Sequence, residues 1–438
     1  MTSKHSPHTP RRSPLLPFLV ACATMLALPA HAAVTIPDTP LQVNNSVAPN
    51  ILFVLDDSGS MSSDFMPDGL TNDFRRRAYN MNTIYYNPNI TYRPWLQANG
   101  TPMADTPYTA AYSDPDFADA PIDLGNGTDR DFFIPLATMS NPADQRQYVR
   151  YRFHRNGQTY GGGIALTVSA CPWDFGANAF ANPTATLTLC DRNFATFTWP
   201  GGLTRDVDQE KQNFATWYSF HRTRMKVAKA SASTAFNDPT VFNADNEFRV
   251  GYRTIWNRGN VDIPVQTNNG LFTGANRTNW FNALFGAESN GTTPTSNALY
   301  RAGQYFRRND ANGPWGPQAT AQQFQCRQNF TILTTDGYRN QGALAEPNEG
   351  NASPSAFPIG NDDGTPGAVI TRPDGASYQY TPVAPYTDGW TDTLADVAMG
   401  FWKNDLRPDL TNIVPTSSSN PAFWQHMVTF GISIGLRG

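Results

Sequence analysis

Ile51 to Leu55 are five apolar positions in a row, bounded by Asn50 on one side and by Asp56-Asp57-Ser58-Gly59-Ser60 on the other. A run that short, and that rich in branched and aromatic side chains, predicts a strand covered on both faces in the middle of a sheet. Phe248 to Ile255 predicts a second strand, Asn329 to Thr335 a third that ends in Asp336-Gly337, and His426 to Ile434 a closing one. Between these runs the period changes to three and four. Phe214, Trp217, Tyr218, Met225, Ala228, Ala232 and Ala235 predict helix from Gln212 to Phe236, and Thr278 to Phe285 reads as a short helix. After Gly291-Thr292-Thr293-Pro294-Thr295, where Thr295 or Ser296 can serve as cap, Ala298, Leu299, Ala302, Tyr305 and Phe306 share one helical face. Thr393 to Trp402 is a further helix with a Thr393/Asp396 capping pair. Strands alternating with helices predict an α/β fold built on a doubly wound, mostly parallel sheet.

The stretch from 63 to 205 breaks this alternation. It is rich in Asn, Pro, Gly, Tyr and Asp, and its short patterned pieces, Tyr148 to His154, Gly163 to Ala170, Thr184 to Cys190 and Phe194 to Trp199, predict a β-rich insertion after the first strand. Asp114, Asp116, Asp119 and Asp123 form an acidic cluster that could hold Ca²⁺, although the ligand spacing of a calcium loop is missing and a solvated loop is the plainer reading.

Composition adds an address. Charged residues are only 16% of the 438, against about 25% in an average globular chain, and the net charge is −4, which offers nothing to nucleic acid. The first 32 residues have a basic lead (Lys4, Arg11, Arg12), an apolar run from Leu15 to Leu28 and a small-residue site at Ala30-His31-Ala32. That order reads as a secretory signal peptide, with 33–438 as the exported protein and no later segment apolar enough to span a bilayer. Leu19-Val20-Ala21-Cys22 also resembles a lipoprotein cleavage box, but apolar sequence continues beyond it. In an oxidising compartment Cys171 and Cys190 are the favoured disulfide pair, a closure contributing about 3 kcal/mol in the chain-entropy picture. Cys326 is then left over as a buried thiol entering a strand.

The candidate chemistry sits where strands end. In doubly wound sheets ligands bind beyond the carboxyl ends of the strands, and Asp56 and Asp336 each follow an apolar run directly. Ser58 and Ser60 alternate with Asp56, and Thr293 precedes a helix that starts at the same edge. The pattern predicts two carboxylates and three hydroxyls in one cluster, a set of hard oxygens suited to Mg²⁺, or to Mn²⁺ or Ca²⁺. Asp57 takes a variable slot facing away, and Arg339 reads as a surface ion pair rather than a ligand clamp.

Asp56-x-Ser58-x-Ser60, Thr293 in Gly-x-Thr-Pro-Thr and Asp336 in Thr-Asp-Gly stand in the order found in von Willebrand factor type A domains, which are Rossmann-like, with a metal-ion-dependent adhesion site. The resemblance implies that Ser58, Ser60 and Thr293 hold the ion through their hydroxyls. Asp56 and Asp336 would act largely through water, and a partner's Glu or Asp would complete the shell. Val47 to Phe53, Tyr85-Tyr86-Asn87-Pro88, Asn213 to Ser219, Cys326 to Thr331, Thr393 to Met399 and Trp424 to Met427 resemble the N-terminal half of the PilY family of type IV pilus tip-associated adhesins and biogenesis factors. That implies work with minor pilins, support of pilus extension against retraction, surface attachment and twitching motility, at the periplasm, outer surface and pilus tip. Members of that family continue into a C-terminal propeller that this sequence does not reach, so the roles of that half are not carried over. A structural pilus subunit with a non-functional metal site is the alternative. A metal-dependent hydrolase is more remote, because Ser58 stands where a phosphoryl-transfer aspartate wants a second acid, and neither a Gly-x-Ser-x-Gly elbow nor a nearby histidine supports a serine nucleophile.

Overall fold

The first apolar run forms β1, Asn50–Leu55, whose residues are buried almost throughout. The computed structural model describes residues 47–128, 130–153, 168–171, 173–174, 179–180, 196–243, 247–337, 339–340, 344 and 357–435. After β1 come β2 (Arg130–Pro135), β3 (Tyr148–Phe153) and β4 (Val168–Cys171), paired antiparallel in that order, and the short hairpin of β5 (Thr196–Thr198) and β6 (Thr204–Asp206). Two helices follow, α1 (Val207–Phe220) and α2 (Arg224–Ala235), and then β7 (Arg249–Thr254), α3 (Gly274–Phe285), α4 (Thr295–Arg307), β8 (Asn329–Thr335), α5 (Leu394–Lys403) and β9 (Val428–Ser433).

The central sheet has the order β9-β8-β1-β7 and every pairing in it is parallel, so the expected mid-sheet place of β1 holds. Successive side chains of a strand point to opposite faces, and β1 divides accordingly. Leu52 and Val54 pack with Leu299, Tyr305 and Phe306 of α4 and Val397 and Phe401 of α5. Phe53 and Leu55 pack on the other side with Met225 and Ala228 of α2 and Trp280, Phe281 and Leu284 of α3. Both faces being covered explains why β1 reads as a continuous apolar run. A third cluster gathers Tyr86, Phe132, Ile134, Phe153 and Trp199 around Phe214 and Trp217 of α1, whose aromatics are core as expected.

Several elements differ from the sequence reading. The helix expected from Gln212 to Phe236 is two helices. Asp206 and Gln209 form a capping box that starts α1 early, and the Thr223 hydroxyl accepts from Lys226 N–H to start α2 anew. α3 begins at Gly274, before its apolar face starts. Thr295 and Ser296 lie inside the first turn of α4 without capping it, Pro294 holding the cap position. Thr393 and Asp396 do form the expected capping box of α5. Cys326 lies half-buried in a turn ahead of β8, not in the strand, and is a free thiol. The signal segment 1–32, Cys190, the side chain of Cys171 and the strand expected at Thr184 to Cys190 lie outside the described residues. Among the described residues no helix is long and apolar enough to cross a membrane.

Candidate metal centre

The chain leaves β1 for β7 on one side of it and returns to β8 on the other, so strand order reverses between β1 and β8. The two strands lie in parallel register, Val54 beside Leu333, and the residues that follow them meet in the crevice such a reversal opens. Asp56 is fully buried there. Its Oδ1 accepts from Ser58 N–H at 2.8 Å, and its Oδ2 accepts from the Thr335 hydroxyl at 2.7 Å and Asp336 N–H at 3.3 Å. Ser58 Oγ lies 3.0 Å from Ser60 Oγ, which donates to Asp336 Oδ1 at 2.7 Å. Four of the five expected residues therefore form one hydrogen-bonded chain.

The fifth, Thr293, comes in on a separate loop. Gly59 N–H donates to Gly291 O at 2.9 Å and Asn290 N–H to Asp57 O at 2.8 Å, which ties this loop to the turn after β1. Gly291 has φ +90°, and a Cβ on it would stand 2.9 Å from the Trp256 ring, so both the backbone and the close approach require glycine. Trp256 Nε1 donates to Thr292 O at 2.7 Å, and Asn340 Oδ1 accepts from Thr293 N–H at 2.6 Å. The Thr293 and Ser60 hydroxyls flank Gly337. A Cβ built there would lie 3.8 Å and 3.7 Å from them, in a space the glycine leaves open.

Part of the negative charge of the cluster is offset by a residue the sequence did not single out. Arg224, buried at the start of α2, donates from Nη1 to Asp336 Oδ2 at 2.9 Å, from Nε to Phe65 O at 3.0 Å, and from Nη2 to Asp68 Oδ1. Burial lifts the Asp336 carboxyl above its ordinary range, and neighbouring Asp56 adds to this, while Ser60 and Arg224 oppose it. A divalent cation would act in the same sense as Arg224. Asp57 turns away to the end of β7, accepting from Trp256 N–H at 3.0 Å with Arg258 at 3.5 Å, and burial pushes its carboxyl up to about 6. Among the described residues Arg339 has no carboxylate partner; it donates to the Asp392 carbonyl at 2.8 Å and to Ser296 Oγ at 3.3 Å.

The donor set fits a small hard cation. Adjacent ligands of an octahedral ion with bonds of 2.0–2.1 Å are about 3.0 Å apart, the spacing of Ser58 Oγ and Ser60 Oγ. Both Asp56 oxygens already accept from the protein, which suits a carboxylate that acts through water. Among the described residues no group of three or more His, Cys, Asp or Glu could hold a metal, so an ion here depends on the hydroxyls. The possibility that Asp114, Asp116, Asp119 and Asp123 hold Ca²⁺ finds no support, since among the described residues they form no group of three or more that could hold a metal. Asp114 and Asp116 turn back to accept from Asp119 N–H and Ala118 N–H of their own loop.

Thr335, Asn340 and Arg224 support the site but escaped the sequence reading. Thr335 had a signal, a hydroxyl next to Asp336 at a strand end. Arg224 had none, being 112 residues from Asp336 in the chain.

No family model matches the chain, and no solved structure matches it. Among curated proteins, the type IV pilus biogenesis factor PilY1 of Pseudomonas aeruginosa strain PAK is 31% identical over 99% of this chain, and that of strain PAO1 is 30% identical over 92%. The same factor from strain UCBPP-PA14 is 27% identical over 93% of the chain. The chain spans about a third of the length of these relatives, 36%, 33% and 33% respectively.

Proposed function

We propose, for a chain that belongs to the PilY family along the stretch it shares with these relatives, that it is an exported, metal-dependent protein-binding module of the type IV pilus machinery. In this reading the parallel sheet with its two helical layers is a von Willebrand factor type A domain, carrying an insertion after β1 that shapes access to the site. Ser58, Ser60 and Thr293 hold Mg²⁺, Mn²⁺ or Ca²⁺ by their hydroxyls, and Asp56 and Asp336 steady it through water. The bound ion supplies an electron-poor coordination position. The protein's part is to fix the hydroxyls, exclude competing carboxylates of its own, and leave one side open to a Glu or Asp of a minor pilin or of a surface ligand. Pilus biogenesis, adhesion and twitching motility follow from such a contact; catalysis does not enter.

The observation that carries the reading is the Ser58–Ser60–Asp336 chain at the switch point, with its 3.0 Å hydroxyl spacing. Isothermal titration of Mg²⁺, Mn²⁺ and Ca²⁺ into residues 33–438, beside the Asp56→Ala/Asp336→Ala double variant, tests it. Binding that disappears in a folded double variant supports the site. No binding in the natural sequence refutes it. One observation favours a second reading, a structural pilus subunit with an inert site: every carboxylate oxygen of Asp56 and Asp336 already has a protein donor. Partner binding that survives chelation would decide for that reading.

A further inference from the structure

The Arg224 guanidinium is buried between two carboxylates of different kinds. Asp336 is fully buried and belongs to the metal cluster. Asp68 is 44% exposed and stands near the root of the segment that follows β1. Two bonds to main-chain and side-chain oxygens of that root, Phe65 O and Asp68, fix the guanidinium from the side away from the cluster. The Phe65 ring lies 5.3 Å from its centre.

We propose that Arg224 is the positioning and charge-setting residue of the metal site. It holds Asp336 Oδ2 so that Oδ1 faces the hydroxyls, and it keeps the ion-loaded site short of negative charge so that an incoming carboxylate is favoured. This rests on the metal-dependent reading above. Asp56 and Asp336 alone would neutralise a divalent ion. With Arg224 beside them the cluster around the ion is cationic; Asp68, on the far side of the guanidinium and half exposed, offsets that charge only in part, and a partner's carboxylate supplies the rest. Asp68 draws off part of the guanidinium's field, which makes the root of the inserted segment a modulator of the site.

A charge-setting role and a purely orienting role predict opposite signs. Losing a group that only orients a ligand typically weakens metal binding about 10- to 100-fold. Removing a cation a few ångströms from a divalent ion in a buried site strengthens it. The test is Mn²⁺ titration of residues 33–438, followed by acetate titration read through water-proton relaxation of the bound Mn²⁺. Arg224→Met is expected to bind Mn²⁺ roughly tenfold tighter and acetate more weakly, with a larger Mn²⁺-induced rise in melting temperature, because Asp336 is otherwise buried without a counter-charge. Arg224→Lys should keep both affinities near those of the natural protein. If Arg224→Met does not fold, Asp68→Asn at the exposed partner carries the test, and it should weaken Mn²⁺ binding by roughly two- to fivefold. Mn²⁺ binding unchanged or weaker in Arg224→Met, or unchanged in Asp68→Asn, overturns the proposal while the metal reading stands. Absence of Mn²⁺ binding in the natural sequence removes the metal reading and this proposal with it.

Discussion

Gly303→Ala sets two opposing effects against each other. Gly303 lies inside α4, where exchanging Gly for Ala in an isolated helix stabilises by about 1 kcal/mol. Here a Cβ would stand 2.3 Å, 2.3 Å and 2.4 Å from three ring atoms of Phe401 on α5. Relief requires the ring to retreat by roughly 1.2–1.7 Å to reach ordinary carbon contact. It has nowhere to go, since Tyr300 packs edge-on at 5.5 Å, Phe357 stacks at 4.7 Å, and Phe357 is itself held by its N–H bond to Tyr300 Oη. Overpacking of this kind costs about 1–3 kcal/mol, occasionally more. The net expectation is a loss of up to about 2 kcal/mol by urea denaturation at unchanged m-value. Phe401→Leu placed in the same chain should recover part of it. Because α4 starts two residues after Thr293, a shift of that helix should also weaken Mn²⁺ binding. A Gly303→Ala protein more stable than the natural one would refute the overpacking, since helix propensity would then outweigh the clash with Phe401.

Ser60→Ala removes the hydroxyl that links Ser58 to Asp336; Mn²⁺ affinity should fall at least about tenfold, and an unchanged titration would place the ion elsewhere. His426 is buried with Nδ1 at 2.7 Å from Trp424 O and Nε2 at 2.9 Å from Asn420 Nδ2, an amide whose oxygen is claimed by Trp402 Nε1. Burial pushes its pKa down from 6.5 to about 4. The neutral ring therefore costs nothing above pH 6.5, and stability is lost as pH falls from 6.5 toward 4, by up to about 3 kcal/mol. His426→Asn should remove that slope in urea midpoints taken across this range, and an identical slope would assign acid sensitivity to other groups. β9 is an edge strand with Phe430 and Ile432 exposed. Ile432→Lys should reduce self-association by light scattering while changing stability by less than about 0.5 kcal/mol, and a larger loss would mean the strand is covered.

What the sequence disclosed follows from the range of the forces involved. β1 and β8 were legible to within a residue because burial on both faces writes a continuous apolar run. Asp56 and Asp336 were legible because the end of such a run is the edge where ligands bind. The break between α1 and α2 was hidden, since one polar cap at Thr223 interrupts a helical period that continues on both sides of it. The donors around the site were hidden for a different reason. Asn340 on Thr293 and Arg224 on Asp336 are matched by tertiary proximity, and local pattern carries no information about a partner 47 or 112 residues away.

The same limit explains why the segment after β1 reads in the sequence only as a break in the strand–helix alternation, with no sign of how it is bolted to the core in the structure. Trp95 is stacked between Phe117 at 5.1 Å and Phe285 of α3 at 5.5 Å. Lys229 of α2 is buried with its ammonium on three carbonyls, Pro115, Phe285 and Ala287, and Lys226 with its own on Tyr112 and Tyr218. Burial pushes these two lysines down to about 7 and about 6, so holding them charged opposes folding, and the carbonyl contacts together with nearby carboxylates, Asp114 for both and Asp116 and Glu288 for Lys229, offset part of it. A protein that needed α2 only to cover the sheet would place apolar side chains at both positions. Instead α2 directs polar residues to the segment after β1, with Lys226 and Lys229 along its length and Arg224 at its start. Since Arg224 is also the counter-charge of Asp336, a single buried guanidinium joins that segment to the cluster of hydroxyls and carboxylates at the sheet edge.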